Sequence, residues 1–338
     1  MTAGRTPAWG LRVATAAEHG AGHVARMRAL AGVLPGPVSV FTDPDCRWRA
    51  ELVHDGHAVV AEAGDDRCDA LFAAAAAKRI DIAVVDSYAV PPARIAELGT
   101  HCFTVALTDG GPRPPADLAV GAFAAEDAGD ADLGGPALAP LASDFAAAHL
   151  RALARPAQRM AKGRVLVAFG ARDVDGLTGL ALDALDRVEG TPRVTVALRS
   201  AAPGLDSVRS RPRARGDAGL VTDAADLIGL YEASDIAIGA PGVSFLERLC
   251  CGLPSVLVAQ GPRQRPSLDW AARAGSALVA EADVAAIARA VQRLLDDDFL
   301  WRRLRARGMR LIDGRGAGRL AARLHEAWTR FPVTPAAG

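Results

Sequence analysis

With 338 residues, 50% of them hydrophobic and 23% charged, the chain is too apolar for a disordered segment and about twice a common domain size, so two domains are expected. Thirty-nine Lys and Arg balance thirty-nine Asp and Glu, and a formal net charge of zero leaves no global field to draw the protein to nucleic acid or an anionic membrane. The five cysteines (Cys46, Cys68, Cys102, Cys250, Cys251) lack C-x-x-C spacing and no window holds eighteen consecutive apolar residues, which argues against a zinc knuckle, a disulfide framework and an integral membrane segment, and makes a reducing cytoplasm the expected setting.

Short β-type runs alternate with longer helical stretches, the pattern of βαβ crossovers and parallel sheets. In the first half, strands are expected at 11–15, 38–42, 58–61, 80–86 and 102–107, with helices at 22–34, 46–54 and 67–78. Residues 119–141 are rich in Gly, Ala, Asp and Pro and read as irregular connection, with a boundary near Arg155. The alternation restarts with strands at 164–168, 194–198, 235–238, 255–258 and 277–279 and helices at 176–188, 225–233, 243–251 and 268–274. Helices at 282–296 and 298–330 close the chain, with aliphatic residues at three- and four-residue spacings suited to covering a sheet or bridging two units. The expected class is α/β: two Rossmann-like, doubly wound domains, 1–155 and 156–330, facing a cleft. Ligands of such folds bind outside the carboxyl ends of the strands, so the strand-to-helix junctions are where chemistry is sought.

The first junction, Glu18-His19-Gly20-Ala21-Gly22-His23-Val24-Ala25-Arg26, opens an apolar-periodic helix. Gly20 and Gly22 let backbone amides approach an anion, while His23 in the first turn and Arg26 three residues on set a base beside a cation. The same residues also read as a glycine-rich cap with a solvated histidine. At Val84-Val85-Asp86-Ser87-Tyr88 an aliphatic run ends in a carboxylate, a hydroxyl and a phenol. Asp86 and Tyr88 can orient a substrate hydroxyl or the histidine, and an N-cap is the plain alternative. Asp109, in Thr108-Asp109-Gly110-Gly111, closes the next strand in the same manner.

In the second half, Gly170 follows a strand where a phosphate or ribose can approach the backbone. The richest stretch runs from Ala233 to Pro254 and includes Gly239-Ala240-Pro241-Gly242-Val243-Ser244-Phe245-Leu246-Glu247. Gly242 and Ser244 open a helix and can meet a diphosphate, and Glu247, one turn further in, can accept two ribose hydroxyls. Taken alone, Glu247 also reads as half of a surface salt bridge. The pairs Asp43-Pro44-Asp45 and Asp173-Val174-Asp175 read as turns and not as a cation site.

This second-half stretch resembles the nucleotide-binding region of the GT-B superfamily, the two-domain inverting nucleotide-sugar glycosyltransferases such as the lipid-II-forming N-acetylglucosaminyltransferase. Gly20-Ala21-Gly22-His23-Val24-Ala25-Arg26, Val85-Asp86-Ser87-Tyr88, Asp109-Gly110-Gly111, Gly134-Gly135-Pro136, residues 141–145 and Gln264-Arg265-Pro266 look in order and spacing like the UDP-sugar hydrolases of pseudaminic acid synthesis. Spore-coat polysaccharide proteins share that pattern. The resemblance implies a GT-B enzyme that cleaves a UDP-linked amino or deoxy sugar at the anomeric carbon, with inversion and without metal or cofactor. His23 would activate water and Tyr88, with Asp86, would position the reactants. Gly170, Val221, Gly242, Ser244 and Glu247 would hold the nucleotide, and Gly20, Gly22, Arg26, Asp109 and Gln264 the sugar or phosphates. The alternatives are a glycosyltransferase moving such a donor to a hydroxyl acceptor and a non-catalytic nucleotide-sugar-binding protein; a monomer or homodimer is expected. Ala142, Ala171, Arg172, Pro241 and Arg263 depart from the pattern, standing where the family usually has Arg, Gly, a small hydroxyl residue, Gly and Asn.

Overall fold

The computed structural model describes residues 5–15, 21–63, 68–123, 132–158, 163–170, 173, 176–210, 219–224 and 226–331. In chain order the first elements are β1 (Trp9–Val13), α1 (Ala21–Ala31), β2 (Val38–Thr42), α2 (Arg49–His54), β3 (Ala58–Ala61), α3 (Asp69–Ala76), β4 (Ile82–Asp86) and α4 (Pro92–Leu98). Then come β5 (Phe103–Leu107), β6 (Leu118–Gly121), β7 (Leu133–Gly134), α5 (Asp144–Ala154), β8 (Arg164–Ala168), α6 (Leu177–Leu185), β9 (Arg193–Leu198), α7 (Leu205–Ser210) and β10 (Gly219–Thr222). The chain continues through α8 (Leu227–Glu232), β11 (Ile236–Gly239), α9 (Val243–Cys250), β12 (Ser255–Leu257), α10 (Arg265–Arg273) and β13 (Leu278–Val279). It ends in α11 (Val284–Asp296), α12 (Asp298–Leu311) and α13 (Gly316–Arg330).

Two compact units result, Met1–Ala142 with Arg315–Gly338, and Ser143–Gly314. The first holds a seven-stranded sheet in the order β3-β2-β1-β4-β5-β6-β7, the second a six-stranded sheet in the order β10-β9-β8-β11-β12-β13. Every strand pair in both is parallel. Strand order reverses beside β1 in the first unit and beside β8 in the second, so each has one switch point where successive connections leave on opposite faces.

A sheet covered on both faces explains the unbroken apolar run of β4. Ile82 and Val84 point into one core with Leu11, Val13, Met27 and Leu30, while Ala83 and Val85 point into another with Leu71, Ile95 and Leu98. Leu320, Ala321, Leu324 and Trp328 of α13 join the first of these cores, which is why the end of the chain belongs to the N-terminal unit. In the second unit, Val165 and Val167 of β8 pack with Leu177 and Leu185 of α6, Ile287 and Val291 of α11 and Trp301 of α12.

Several elements differ from expectation. The contact divide falls ahead of α5, not at Arg155, and the second unit does not run on to residue 330. Phe145, Ala148, His149 and Ala152 bury one face of α5, which packs on α9, and His149 Nδ1 lies 3.1 Å from the Cys250 carbonyl. The expected helix over 298–330 is two, broken at Gly314, whose φ of +75° suits glycine and redirects the chain. The stretch read as irregular contributes β6 and β7, and α4, α7 and β10 were not anticipated. These are elements of eight residues or fewer, too short to establish a period of their own. Replacing Leu324 by Ala should destabilise the N-terminal unit by about 2–5 kcal/mol in denaturant unfolding, as for other fully buried leucines.

Candidate functional site

In the N-terminal unit the switch point lies between β1 and β4, paired in register so that Val13 stands opposite Asp86. The chain leaving β1 returns as α1, whose first turn carries His23, and β4 ends on Asp86 itself. His23 Nδ1 lies 2.6 Å from Asp86 Oδ1. A carboxylate only accepts, so Nδ1 carries the proton and Nε2 is the lone-pair nitrogen of the neutral ring. The Arg26 Nη2 contact with Nδ1 at 3.1 Å therefore brings two donors together and is packing, not a hydrogen bond.

Arg26, one turn along α1, binds the same carboxylate. Its Nε donates to Asp86 Oδ2 at 2.5 Å, Nη2 donates to Oδ1, and Nη1 donates to Asp109 Oδ1 at 2.6 Å. Asp109 Oδ2 in turn accepts from the Tyr88 hydroxyl, and the half-exposed Tyr88 ring meets the His23 imidazole edge-on with centroids 4.9 Å apart. Burial by itself would raise Asp86, but the Arg26 and His23 side chains outweigh it and hold this carboxyl well below its ordinary value. Asp109 is likewise lowered, burial being overcome chiefly by Arg26. Two carboxylates, Asp86 and Asp109, thus stand against one guanidinium beside the imidazole. Three of the guanidinium N–H groups go to carboxylates of the protein itself, a role the sequence did not suggest for Arg26.

The switch point of the second unit lies between β8 and β11, with Ala168 opposite Gly239. Gly170, two residues beyond β8, is exposed with a φ of +90°, a backbone state that favours glycine. After β11 the chain turns through Ala240, Pro241 and Gly242 into α9, with Gly242 as its extended N-cap residue and Ser244 half-buried in the first turn. Glu247 is buried, not in a surface ion pair, and its Oε2 accepts from the Tyr231 hydroxyl of α8 at 2.7 Å. Burial raises the Glu247 pKa against the lowering effect of that hydrogen bond and of Arg248.

The structure thus assembles His23, Asp86, Arg26, Asp109 and Tyr88 in one unit, with Gly22 on the same first turn of α1. In the other it groups Gly242, Ser244 and Glu247 on α9. Val221 is not among them: it sits in edge strand β10 opposite Ala197, three strands from β11. The Gln264 side chain accepts from the Gln260 amide at 2.8 Å, and Gln260 Nε2 donates to the Phe169 carbonyl, so this pair ties the loop after β12 to the end of β8. Gly20, His19, Ala171, Arg172, Val174 and Asp175 lie outside the described residues. Tyr231, Arg248 and Gln260 escaped the sequence reading because their partners are 16, 7 to 8, and 91 residues away and no short motif links them.

Asp43 of the first Asp-x-Asp pair accepts from Arg12 and from the Thr15 amide, and Asp173 of the second accepts from the Thr178 amide at 3.1 Å. Both hold turns. Among the described residues no group of three or more His, Cys, Asp or Glu could hold a metal ion, all five cysteines are free thiols, and no helix is long and apolar enough to cross a membrane.

No family model matches the chain. The spore coat polysaccharide biosynthesis protein SpsG of Bacillus subtilis (strain 168) is 29% identical over 171 residues, 48% of this chain and 50% of SpsG, so the match spans about half the length of that relative. Among solved structures, MurG of Acinetobacter baumannii superposes with a TM-score of 0.66 at 11% identity over 95% of this chain and all of that one. The calicheamicin glycosyltransferase CalG4 does so with a TM-score of 0.64 at 15% identity over 96% of this chain and 99% of the other. At such identities the likeness is one of fold: two parallel-sheet α/β units of the GT-B type.

Because the folded pKa values of Asp86 and Asp109 lie below their unfolded values, the stability they contribute is complete above about pH 5 and is lost as pH falls below about 4. Asp86→Asn should remove about 3 kcal/mol at neutral pH, since it strips a buried guanidinium of one partner. It should also flatten the acid limb when unfolding free energy is measured against pH by circular dichroism.

Proposed function

We propose that the protein hydrolyses a nucleotide-activated sugar at the anomeric carbon, releasing a nucleoside diphosphate and the free sugar with inversion. The observation that carries this reading is the His23–Asp86 pair, a buried carboxylate holding Nδ1–H so that Nε2 is the basic nitrogen. Water gives its proton to Nε2 as its oxygen bonds to the anomeric carbon, and the bond from that carbon to the diphosphate oxygen breaks. Asp86 stabilises the imidazolium as it forms, and the Arg26–Asp109–Tyr88 chain holds carboxylate and ring in place.

The second unit supplies nucleotide binding in this reading. Gly170 and Gly242 let a ligand approach the backbone, the amides of α9 and the Ser244 hydroxyl meet the diphosphate, and Glu247 accepts the ribose hydroxyls. Positive potential from a helix N-terminus stabilises the charge that develops on the leaving diphosphate. The likeness to SpsG and the N-terminal motif order favour a UDP-linked amino or deoxy sugar, of the kind cleaved in pseudaminic acid synthesis. A second reading, favoured by the glycosyltransferases among the fold relatives, keeps the donor and the base and replaces water by an acceptor hydroxyl.

Phosphorus NMR of the protein with UDP-, CDP- and GDP-linked amino sugars, with chelator and no acceptor, separates these readings. Release of nucleoside diphosphate at catalytic rates is the expected result; binding without release turns the assignment to the transferase, and to a non-catalytic binding protein if an acceptor screen is also silent. His23→Ala should lower turnover by about a hundred- to ten-thousand-fold with nucleotide affinity unchanged, whereas Glu247→Ala should weaken nucleotide binding. The reverse pattern contradicts both roles.

A further inference from the structure

Arg248 has no exposed surface and no acid within ion-pair distance among the described residues. It lies on α9, where Cα–Cβ bonds lean toward the helix N-terminus, so its side chain runs back beneath the turn that opens the helix. Nη2 donates to the Ala240 carbonyl at 3.0 Å and Nε to Ser255 Oγ at 3.1 Å, both neutral acceptors, while Nη1 has no partner. The adjacent carboxylate, Glu247, is hydrogen-bonded to Tyr231 instead. Glu247 acts on the guanidinium only at a distance, through its charge, without a direct ion pair. A guanidinium does not escape the cost of burial by losing its proton, and a buried cation with neutral contacts and one unpartnered nitrogen is an unfavourable group for a core to hold.

Its position is as informative as its isolation. A Cβ on Gly239 would stand 2.8 Å from Nη1 and 2.2 Å from the Ala168 carbonyl, so the guanidinium fills the space a side chain would take at the carboxyl end of β11, beside β8. That is the switch point of the sheet, where parallel α/β folds receive ligands. The same turn opens α9, which presents the positive end of its dipole there. Two positive sources converge on one turn and repel each other. An anion bound there turns both into attractions, and in a dry site the attraction is little screened by salt.

We infer that Arg248 is the buried counter-charge for a diphosphate seated on the 240–242 turn, acting through its field without touching the ligand. The inference rests on the reading of the second unit as a nucleotide-binding unit and deepens it by naming what selects the anionic part. Arg248 is a positioning residue in this sense. It attracts the phosphates and leaves recognition of the nucleoside to other groups.

Calorimetric titration of wild type, Arg248→Met and Arg248→Lys with inorganic pyrophosphate, UDP and uridine tests this. Arg248→Met should lose about tenfold or more in affinity for pyrophosphate and UDP with uridine unchanged, and should melt no lower than wild type because an unpaired buried charge has gone. Arg248→Lys keeps the charge while changing the contacts to Ala240 and Ser255, and should stay within a few-fold of wild type for both anions. If Arg248→Met does not fold, the lysine variant decides alone: retained anion affinity supports the charge, and equal loss of anions and uridine overturns it. UDP binding by wild type that Arg248→Met leaves intact overturns the inference and spares the nucleotide reading. Pyrophosphate binding that depends on Arg248, in a protein that binds no nucleoside diphosphate, supports the inference and removes the nucleotide reading. Wild type that binds neither overturns both.

Discussion

The Asp86 carboxylate is the constraint on which the N-terminal site depends. It is fully buried at the end of the central strand β4, a place a lone carboxylate could not occupy in its charged form. Arg26 makes that charge tolerable by engaging both oxygens, and the same carboxylate then fixes which nitrogen of His23 bears the proton. Because Arg26 also binds Asp109, and Asp109 also binds Tyr88, the five side chains form one connected unit. Each member satisfies a buried group on its neighbour, so removing one leaves a partner exposed to the full cost of burial.

The second unit repeats the strand order of the first and uses its switch point with the opposite sign of charge. Where β4 ends on a carboxylate, β11 ends on Gly239, and the room it leaves is taken by the guanidinium of Arg248. One switch point therefore carries an excess of carboxylate beside a histidine, and the other a cation beneath a helix N-terminus. The first suits a site where a proton is taken up, the second a site where an anion rests. Glu247 accepts from Tyr231 and makes no direct ion pair with Arg248, although each feels the other's charge.

Much of this was legible along the chain. The aliphatic run ending in Asp86 marks both a buried strand and the point where its edge meets solvent chemistry, and the glycines before His23 mark a strand-to-helix junction. Their functional weight could be read because strands of a parallel sheet end where ligands bind. The face of α5 formed by Phe145, Ala148, His149 and Ala152 also has a readable helical spacing, yet Ala-rich surroundings hid it and moved the expected boundary to Arg155. Elements such as β6 and β7 carry no such signal, since two to four residues become strands only when a neighbouring strand offers hydrogen bonds.

By itself the sequence determined the α/β class, the alternation that yields two doubly wound units, and the residue types gathered at their junctions. Those follow from local periodicity and from the chemistry of short segments. Only the tertiary structure decided that Asp86 meets His23 across 63 residues, that Arg26 binds the carboxylates of Asp86 and Asp109, and that α13 completes the core of the first unit. It alone placed Arg248, with one guanidinium nitrogen unpartnered, beneath the turn at Gly242. The physical reason is that a side chain's partner is set by strand register and helix rotation, which arise when sheets assemble, whereas its chemical character is set by the residue alone.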